Sequence, residues 1–171
     1  MLRRTVCAFL VAIVATLGAR ADQTSSLTGK YKYAPEQSAD ISRAIEQAIE
    51  KMSFIKRPIA RGRLARTNFP YQQILIELGE TEAEVRYDTQ GPIHMPLDGQ
   101  AIKWKRADGE VFDVSAKLAG GKLIQTYKAE DGVRVNSFSK DASGSLHLEV
   151  EVSSPQLPQP VKYVLVYRPA A

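Results

Sequence analysis

From Tyr71 onward, apolar and polar residues alternate with a period of two. Ile74, Ile76 and Leu78 alternate with Gln73 and Glu77. Ala83, Val85 and Tyr87 alternate with Glu82, Glu84 and Arg86. The same pattern runs through Ile102 and Trp104, through Phe112, Val114, Ala116 and Leu118, and through Leu146, Leu148, Val150 and Val152. Period two places one set of side chains in a core and the other in water, which predicts antiparallel sheet with one wet face. Turn signals separate the runs at Gly79, Gly91-Pro92, Asp98-Gly99, Asp108-Gly109, Gly120-Gly121, Asp131-Gly132, Ser143-Gly144 and Pro155. Asp-Gly and Gly-Gly tolerate the positive φ of tight hairpins, so successive strands are expected to be neighbours in a meander.

Before Tyr71 the period is different. Leu27 to Tyr33 reads as a first strand. Ile41, Ala44, Ile45, Ala48, Ile49 and Met52 then recur at spacings of three and four, which predicts one amphipathic helix. Ser38 is the expected N-cap, with Asp40 in the first turn. Phe54 and Ile55 extend the apolar surface beyond the helix, Pro58 is expected to break the chain, and Ile59 to Arg66 forms a short second helix. With the strand before the helix, the count is about ten strands. Closing such a sheet into a barrel removes its edges, and the apolar stripe then caps the barrel mouth. Lys, Glu and Arg on the outer faces exclude an outer-membrane barrel.

Residues 1–21 stand apart. Arg3 and Arg4 precede an apolar run from Thr5 to Leu17, and Ala19-Arg20-Ala21 fits a small-x-small cleavage site. This predicts a signal peptide removed before Asp22, a single domain over 22–171, and a periplasmic or secreted protein. The charge argument changes accordingly. The whole chain carries 23 Lys+Arg and 19 Asp+Glu, a net +4. Without Arg3, Arg4 and Arg20 the count is 20 against 19, so nothing in the balance calls for nucleic acid. The one cysteine, Cys7, also lies in the leader, so the exported domain has no disulfide, thiol nucleophile or cysteine metal ligand.

One strand, a helical segment and then a hairpin meander resembles the calycin superfamily, and its order is similar to that of fatty-acid-binding proteins, where a helical lid follows the first of ten strands. Gly29-Lys30-Tyr31 resembles the lipocalin Gly-x-Trp motif, with Tyr for Trp. Arg168 in Tyr163 to Arg168 (YVLVYR) resembles the arginine that packs on that ring. The whole also looks like a group of uncharacterised exported bacterial proteins with the same beginning and ending. The resemblance implies that Gly29, Tyr31 and Arg168 close the barrel through a cation–π contact.

The candidate chemistry is sparse. His147, Glu149 and Glu151 share a strand face, but Leu146, Leu148, Val150 and Val152 occupy the opposite one, so the polar face should meet solvent and no metal is expected. No phosphate loop, dinucleotide fingerprint or nucleophile elbow is present, and no cofactor or catalytic residue is assigned. Leu123, Gln125 and Tyr127 share a face, as do Arg134, Asn136 and Phe138. The register of the latter strand is open, because Val133 and Val135 make its other face nearly as apolar. If Phe138 faces inward, so do Arg134 and Asn136, and an inward arginine calls for an anion such as a ligand carboxylate. Arg134, Asn136, Gln125, Tyr127 and Trp104 are therefore the candidate ligand contacts. Lys51, Lys56, Arg57, Arg61, Arg63 and Arg66 fall in a stretch without acids that includes Phe54 and Ile55, a candidate patch for an anionic membrane surface. The expectation is a monomeric exported protein that binds a small apolar or amphipathic molecule, anionic ones included. The alternative is an envelope interaction protein whose lumen is filled by its own side chains, and lumen packing separates the two.

Overall fold

The computed structural model describes residues 27–88 and 90–170. The expected leader and cleavage site, and Cys7, lie outside the described residues. Ten strands follow in order: β1 (Gly29–Tyr33), β2 (Gln73–Leu78), β3 (Glu82–Tyr87), β4 (Ile93–Pro96), β5 (Ile102–Lys105), β6 (Val111–Ala119), β7 (Lys122–Lys128), β8 (Val133–Lys140), β9 (Leu146–Ser153) and β10 (Val161–Pro169). A 3-10 turn (Pro35–Gln37) and two helices, α1 (Ile41–Ile49) and α2 (Lys56–Thr67), lie between β1 and β2. The sheet order is β4-β3-β2-β1-β10-β9-β8-β7-β6-β5, all antiparallel. This is the expected meander, and the β1–β10 pairing wraps it into a nearly closed barrel.

The end strands β4 and β5 do not pair with each other. The chain after β4 instead reaches β6, through a bridge of Asp98 with Lys117 and a 3.1 Å bond from the Gly99 N–H to the Ala116 carbonyl. Both end strands have only four residues, and Pro96 lacks a donor for a continued ladder.

The first helix buries Ile45, Ala48 and Ile49. Its N-cap is Asp40, not Ser38. The Asp40 carboxylate accepts from the N–H groups of Ser42 (2.8 Å) and Arg43 (3.2 Å). Ser38 is used elsewhere: its hydroxyl donates to the Ala34 carbonyl and accepts from the Val166 N–H, both at 2.9 Å. The chain entering α1 is thereby stitched to β10, with a further 2.9 Å bond from the Ala39 N–H to the Val164 carbonyl.

The second helix is longer than expected and begins before Pro58. A proline in the first turn removes an N–H that has no partner inside the helix, so it does not interrupt it. No residue of α2 is buried, although Ala60 and Leu64 pack half-buried on the core. Phe54, Ile55 and Ile59 do not extend the core either; they stand 80%, 67% and 61% exposed.

The expected closure contact is corrected. Val161, Tyr163, Leu165 and Tyr167 face inward on β10, so parity turns Arg168 outward, where it is half exposed and pairs with Glu36. Tyr31 lies opposite Pro169, and the cation over its ring is Lys140, 5.7 Å from the centroid. Gly29 has a different reason to be glycine. The Tyr31 ring folds back over it to donate to the Leu27 carbonyl (2.9 Å), and a Cβ on residue 29 would lie 3.3 Å from the Tyr31 hydroxyl, at φ +151°.

Candidate functional site

The register of β7 and β8 builds the site. Tyr127 is opposite Arg134, Gln125 opposite Asn136, and Leu123 opposite Phe138. Phe138 is fully buried, which resolves the open register: Arg134, Asn136 and Phe138 face inward. The two strands therefore present a graded ladder, from a cation and a phenol at the rim, through two amides, to an apolar floor.

The amides are buried and bonded across the barrel. The Tyr87 hydroxyl of β3 donates to Gln125 Oε1 at 2.6 Å, and Asn136 Nδ2 donates to the Tyr87 hydroxyl oxygen (3.1 Å) and to Gln125 Oε1 (3.2 Å). Gln125 Nε2 reaches Met95 Sδ of β4 at 3.3 Å. Strands β3 and β7 are far apart in the sheet order, so these bonds span the lumen. Ile74, Ile76, Val85, Met95, Val114, Leu123 and Gln125 all have 0% exposed surface. A water-sized hollow beside them would leave surface on them, so the interior at this level is filled by side chains.

At the rim, Arg134 makes four hydrogen bonds. Nε donates to Asn136 Oδ1 (2.9 Å), Nη1 to the Thr67 carbonyl (3.0 Å) and Asn68 Oδ1 (3.2 Å), and Nη2 to the Tyr163 hydroxyl (3.3 Å). None of these acceptors is a carboxylate. The charge is solvated by neutral dipoles, an arrangement that leaves an opposite charge to be supplied. Burial pushes the Tyr87 and Tyr127 phenols up from their ordinary value; it does the same to Tyr163, against the opposing pull of Arg134. All three stay protonated near neutral pH, and Tyr87 and Tyr163 donate, to Gln125 Oε1 and Asn68 Oδ1.

Aromatic rings surround this rim. Trp104 lies 5.8 Å from Tyr127 and 6.0 Å from Phe112, and the Arg106 guanidinium stacks 5.1 Å over Phe112. On the other side Tyr71 packs on Tyr87 (4.4 Å) and Phe69 on Tyr71 (5.1 Å). All five expected contacts, Arg134, Asn136, Gln125, Tyr127 and Trp104, thus fall in one region. Gln125 and Asn136 serve as buried struts there, whereas Arg134 and Trp104 remain within reach of water. Asn68, Tyr71, Tyr87 and Tyr163 were not anticipated. The inward parity of Tyr87 and Tyr163 was readable, but the loop residues Asn68 and Tyr71 carry no periodic signal.

The basic cluster divides in two. Arg61 pairs with Glu46 of α1, Arg57 donates to the Met52 and Glu50 carbonyls that end α1, and Arg66 turns back to the Gly62 carbonyl. Lys51, Lys56 and Arg63 make no ion pair or side-chain hydrogen bond among the described residues. They flank the exposed Phe54, Ile55 and Ile59 at the turn between the helices. The His147 face points outward, where His147 meets Asp141 (3.0 Å), Glu149 meets Lys122 (2.7 Å) and Glu151 meets Lys162 (3.0 Å). A shallow cleft of about 330 Å3 lies between Tyr33, Pro35, Ile41 and Pro70. The carboxylate that borders it, Asp40, is occupied in capping α1.

No family model matches this chain, and no curated protein matches its sequence. Solved structures do match its fold. A Schistosoma mansoni fatty acid binding protein in complex with arachidonic acid is 16% identical with a TM-score of 0.55, covering 87% of this chain and 99% of that one. Fatty-acid-binding protein 1 of Echinococcus granulosus is 14% identical with a TM-score of 0.55, over 86% and 99%. A secretary abundant heat soluble protein from Ramazzottius varieornatus is 10% identical with a TM-score of 0.57, over 85% and 96%. The fold is a ten-stranded barrel like that of these proteins; at these identities the likeness is one of fold alone.

Proposed function

We propose that the protein binds a small amphipathic anion at the barrel rim, with its acidic head on Arg134 and its apolar part against Trp104, Phe112 and Phe69. The observation that carries this is the Arg134 guanidinium, which faces the rim, is surrounded by phenols and amides, and has only neutral acceptors. A carboxylate would supply the missing charge through two parallel N–H bonds. Because the interior is filled, the apolar part lies along the rim aromatics and not in a deep lumen. Dodecanoate tests the reading by calorimetry. The expected result is binding that weakens about 10- to 100-fold in Arg134→Met, the scale of one charge-assisted interaction of roughly 1.5–3 kcal/mol. Equal affinity in the variant, or no binding to the wild type, overturns it. The second outcome would favour the other reading that the filled interior supports: a barrel that works through its outer surface without an internal ligand.

An anionic lipid surface is the partner we propose for the turn between α1 and α2. Exposed Phe54, Ile55 and Ile59 fit the acyl boundary, and the unpaired Lys51, Lys56 and Arg63 fit the headgroups at about 1 kcal/mol each. The protein should sediment with phosphatidylglycerol vesicles and not with phosphatidylcholine vesicles. Phe54→Glu combined with Ile55→Glu should abolish the binding, as should roughly 1 M salt, where the Debye length is about 3 Å. Failure of the wild type to bind phosphatidylglycerol at low salt removes this partner.

A further inference from the structure

The Arg134 site is also where α2 is fastened to the barrel, and we infer that an anion bound there releases the helix. The inference rests on the binding reading above. Among the described residues, the side-chain hydrogen bonds between α2 with its cap and the strands all lie at one end. They are Arg134 Nη1 to the Thr67 carbonyl and to Asn68 Oδ1, and the Tyr163 hydroxyl to Asn68 Oδ1 at 2.9 Å. Asn68 caps the helix, because its backbone N–H and its Nδ2 both donate to the Leu64 carbonyl at 2.9 Å. The other side-chain bonds that α2 makes beyond itself go to α1 and the turn after it, through Arg61 and Arg57. With no residue of α2 buried, this end is the helix's polar hold on the barrel.

The donor count makes the hold and the ligand exclusive. A guanidinium has five N–H groups: one on Nε and two on each terminal nitrogen. Here Nε serves Asn136, both Nη1 hydrogens serve Thr67 and Asn68, and one Nη2 hydrogen serves Tyr163. One N–H is left, on Nη2. A bidentate carboxylate needs two on the same edge. The Nε edge is closed by Asn136, which is 2% exposed and tied into the amide network. The remaining edge is Nη1 with Nη2, so the second N–H comes from Thr67 or Asn68. A charged acceptor outcompetes a neutral carbonyl for it. Binding and fastening are then linked equilibria: the factor by which the anion favours the released helix is the factor by which release favours the anion. The loaded state carries a loosened α2, the opposite of a lid that tightens on its ligand.

Hydrogen exchange with mass spectrometry reads this directly, comparing residues 56–68 with the β9 segment 146–153. In ligand-free protein, Arg134→Met should speed exchange across 56–68 by about tenfold and leave 146–153 unchanged, as expected for losing roughly 1.4 kcal/mol of local hold. Tyr163→Phe, which keeps the ring and the arginine, should raise it in the same place. In the wild type, saturating dodecanoate should speed the same segment. Unchanged 56–68 exchange in both variants overturns the fastening regardless of any ligand. Dodecanoate that binds by calorimetry while 56–68 stays as protected as before, or becomes more so, overturns release but leaves the binding site standing. Absence of dodecanoate binding removes the site, and release with it.

Discussion

Raising the pH above 10 should unfold this protein with unusual steepness. Four phenols, Tyr87, Tyr127, Tyr163 and Tyr167, face the interior and are at most 8% exposed. Burial raises each of them above the ordinary 10.0, since an ionised phenol there would lose its water. Below pH 10 all four hold their protons in folded and unfolded chains alike and add no slope. Above it the unfolded chain releases them first, while the fold holds each one until its own raised value is passed. The unfolded state then binds fewer protons, so stability falls as pH rises, by about 1.4 kcal/mol per pH unit for each phenol. Four together give at most about 5.6 kcal/mol per unit just above pH 10, each phenol adding its share only until the pH passes its own raised value, which is a large loss against a typical stability. Urea midpoints between pH 8 and 12 measure the slope. Tyr167→Phe is the informative variant: the Tyr167 hydroxyl has no hydrogen-bond partner among the described residues, so its removal should cost nothing at pH 8 and take away one phenol's share of the alkaline slope. A midpoint that stays flat through pH 11 would contradict the account.

The second large effect separates the two helices. Ile49→Asp should destabilise the whole protein by about 3–5 kcal/mol, because it buries a charge with no partner. Ile49 has no exposed surface and belongs, with Ile45 and Ala48, to the same apolar core as β1, β2 and β10. The chain entering α1 is also tied to β10 through Ser38 and Ala39. Ile59→Asp on α2 should change stability by less than about 0.5 kcal/mol, since that side chain is 61% exposed. Denaturant midpoints of the two variants should therefore differ widely. The amphipathic stripe suggests a cap that could lift away as a unit; continuity of the core makes α1 part of the barrel and leaves α2 as the detachable piece. Similar losses for both substitutions would make the helices one cooperative block.

Strand order, strand number and the inward faces were legible because a period of two and regular turn signals encode them locally. What was not legible depended on pairing between distant segments. The β8 sequence VRVNSFS has two nearly equal faces, and only its alignment with β7 sets Arg134 and Asn136 inward. Arg168 looked like a partner for Tyr31 until the parity of β10 turned it out toward Glu36. Asp40 and Ser38 are both good capping residues; the choice fell to the bonds Ser38 makes with β10. The filled lumen was the least visible feature. It follows from Tyr87, Gln125, Asn136 and Met95 meeting from different walls, and no single segment carries that information.

The place of β1 in the sheet has a consequence for how the chain is made. It is the first strand in the sequence, yet it sits in the middle, between β2 and β10. One of its edges can be satisfied as soon as β2 exists; the other waits for Tyr167 to Pro169. The approach to α1 waits for the same strand, through Val164 and Val166. Contacts of such long sequence separation form late and fold slowly. The chain must therefore be synthesised through β10 before β1 can take its native place, and a nascent chain that stops short of Val161 holds an open sheet with β1 at its edge.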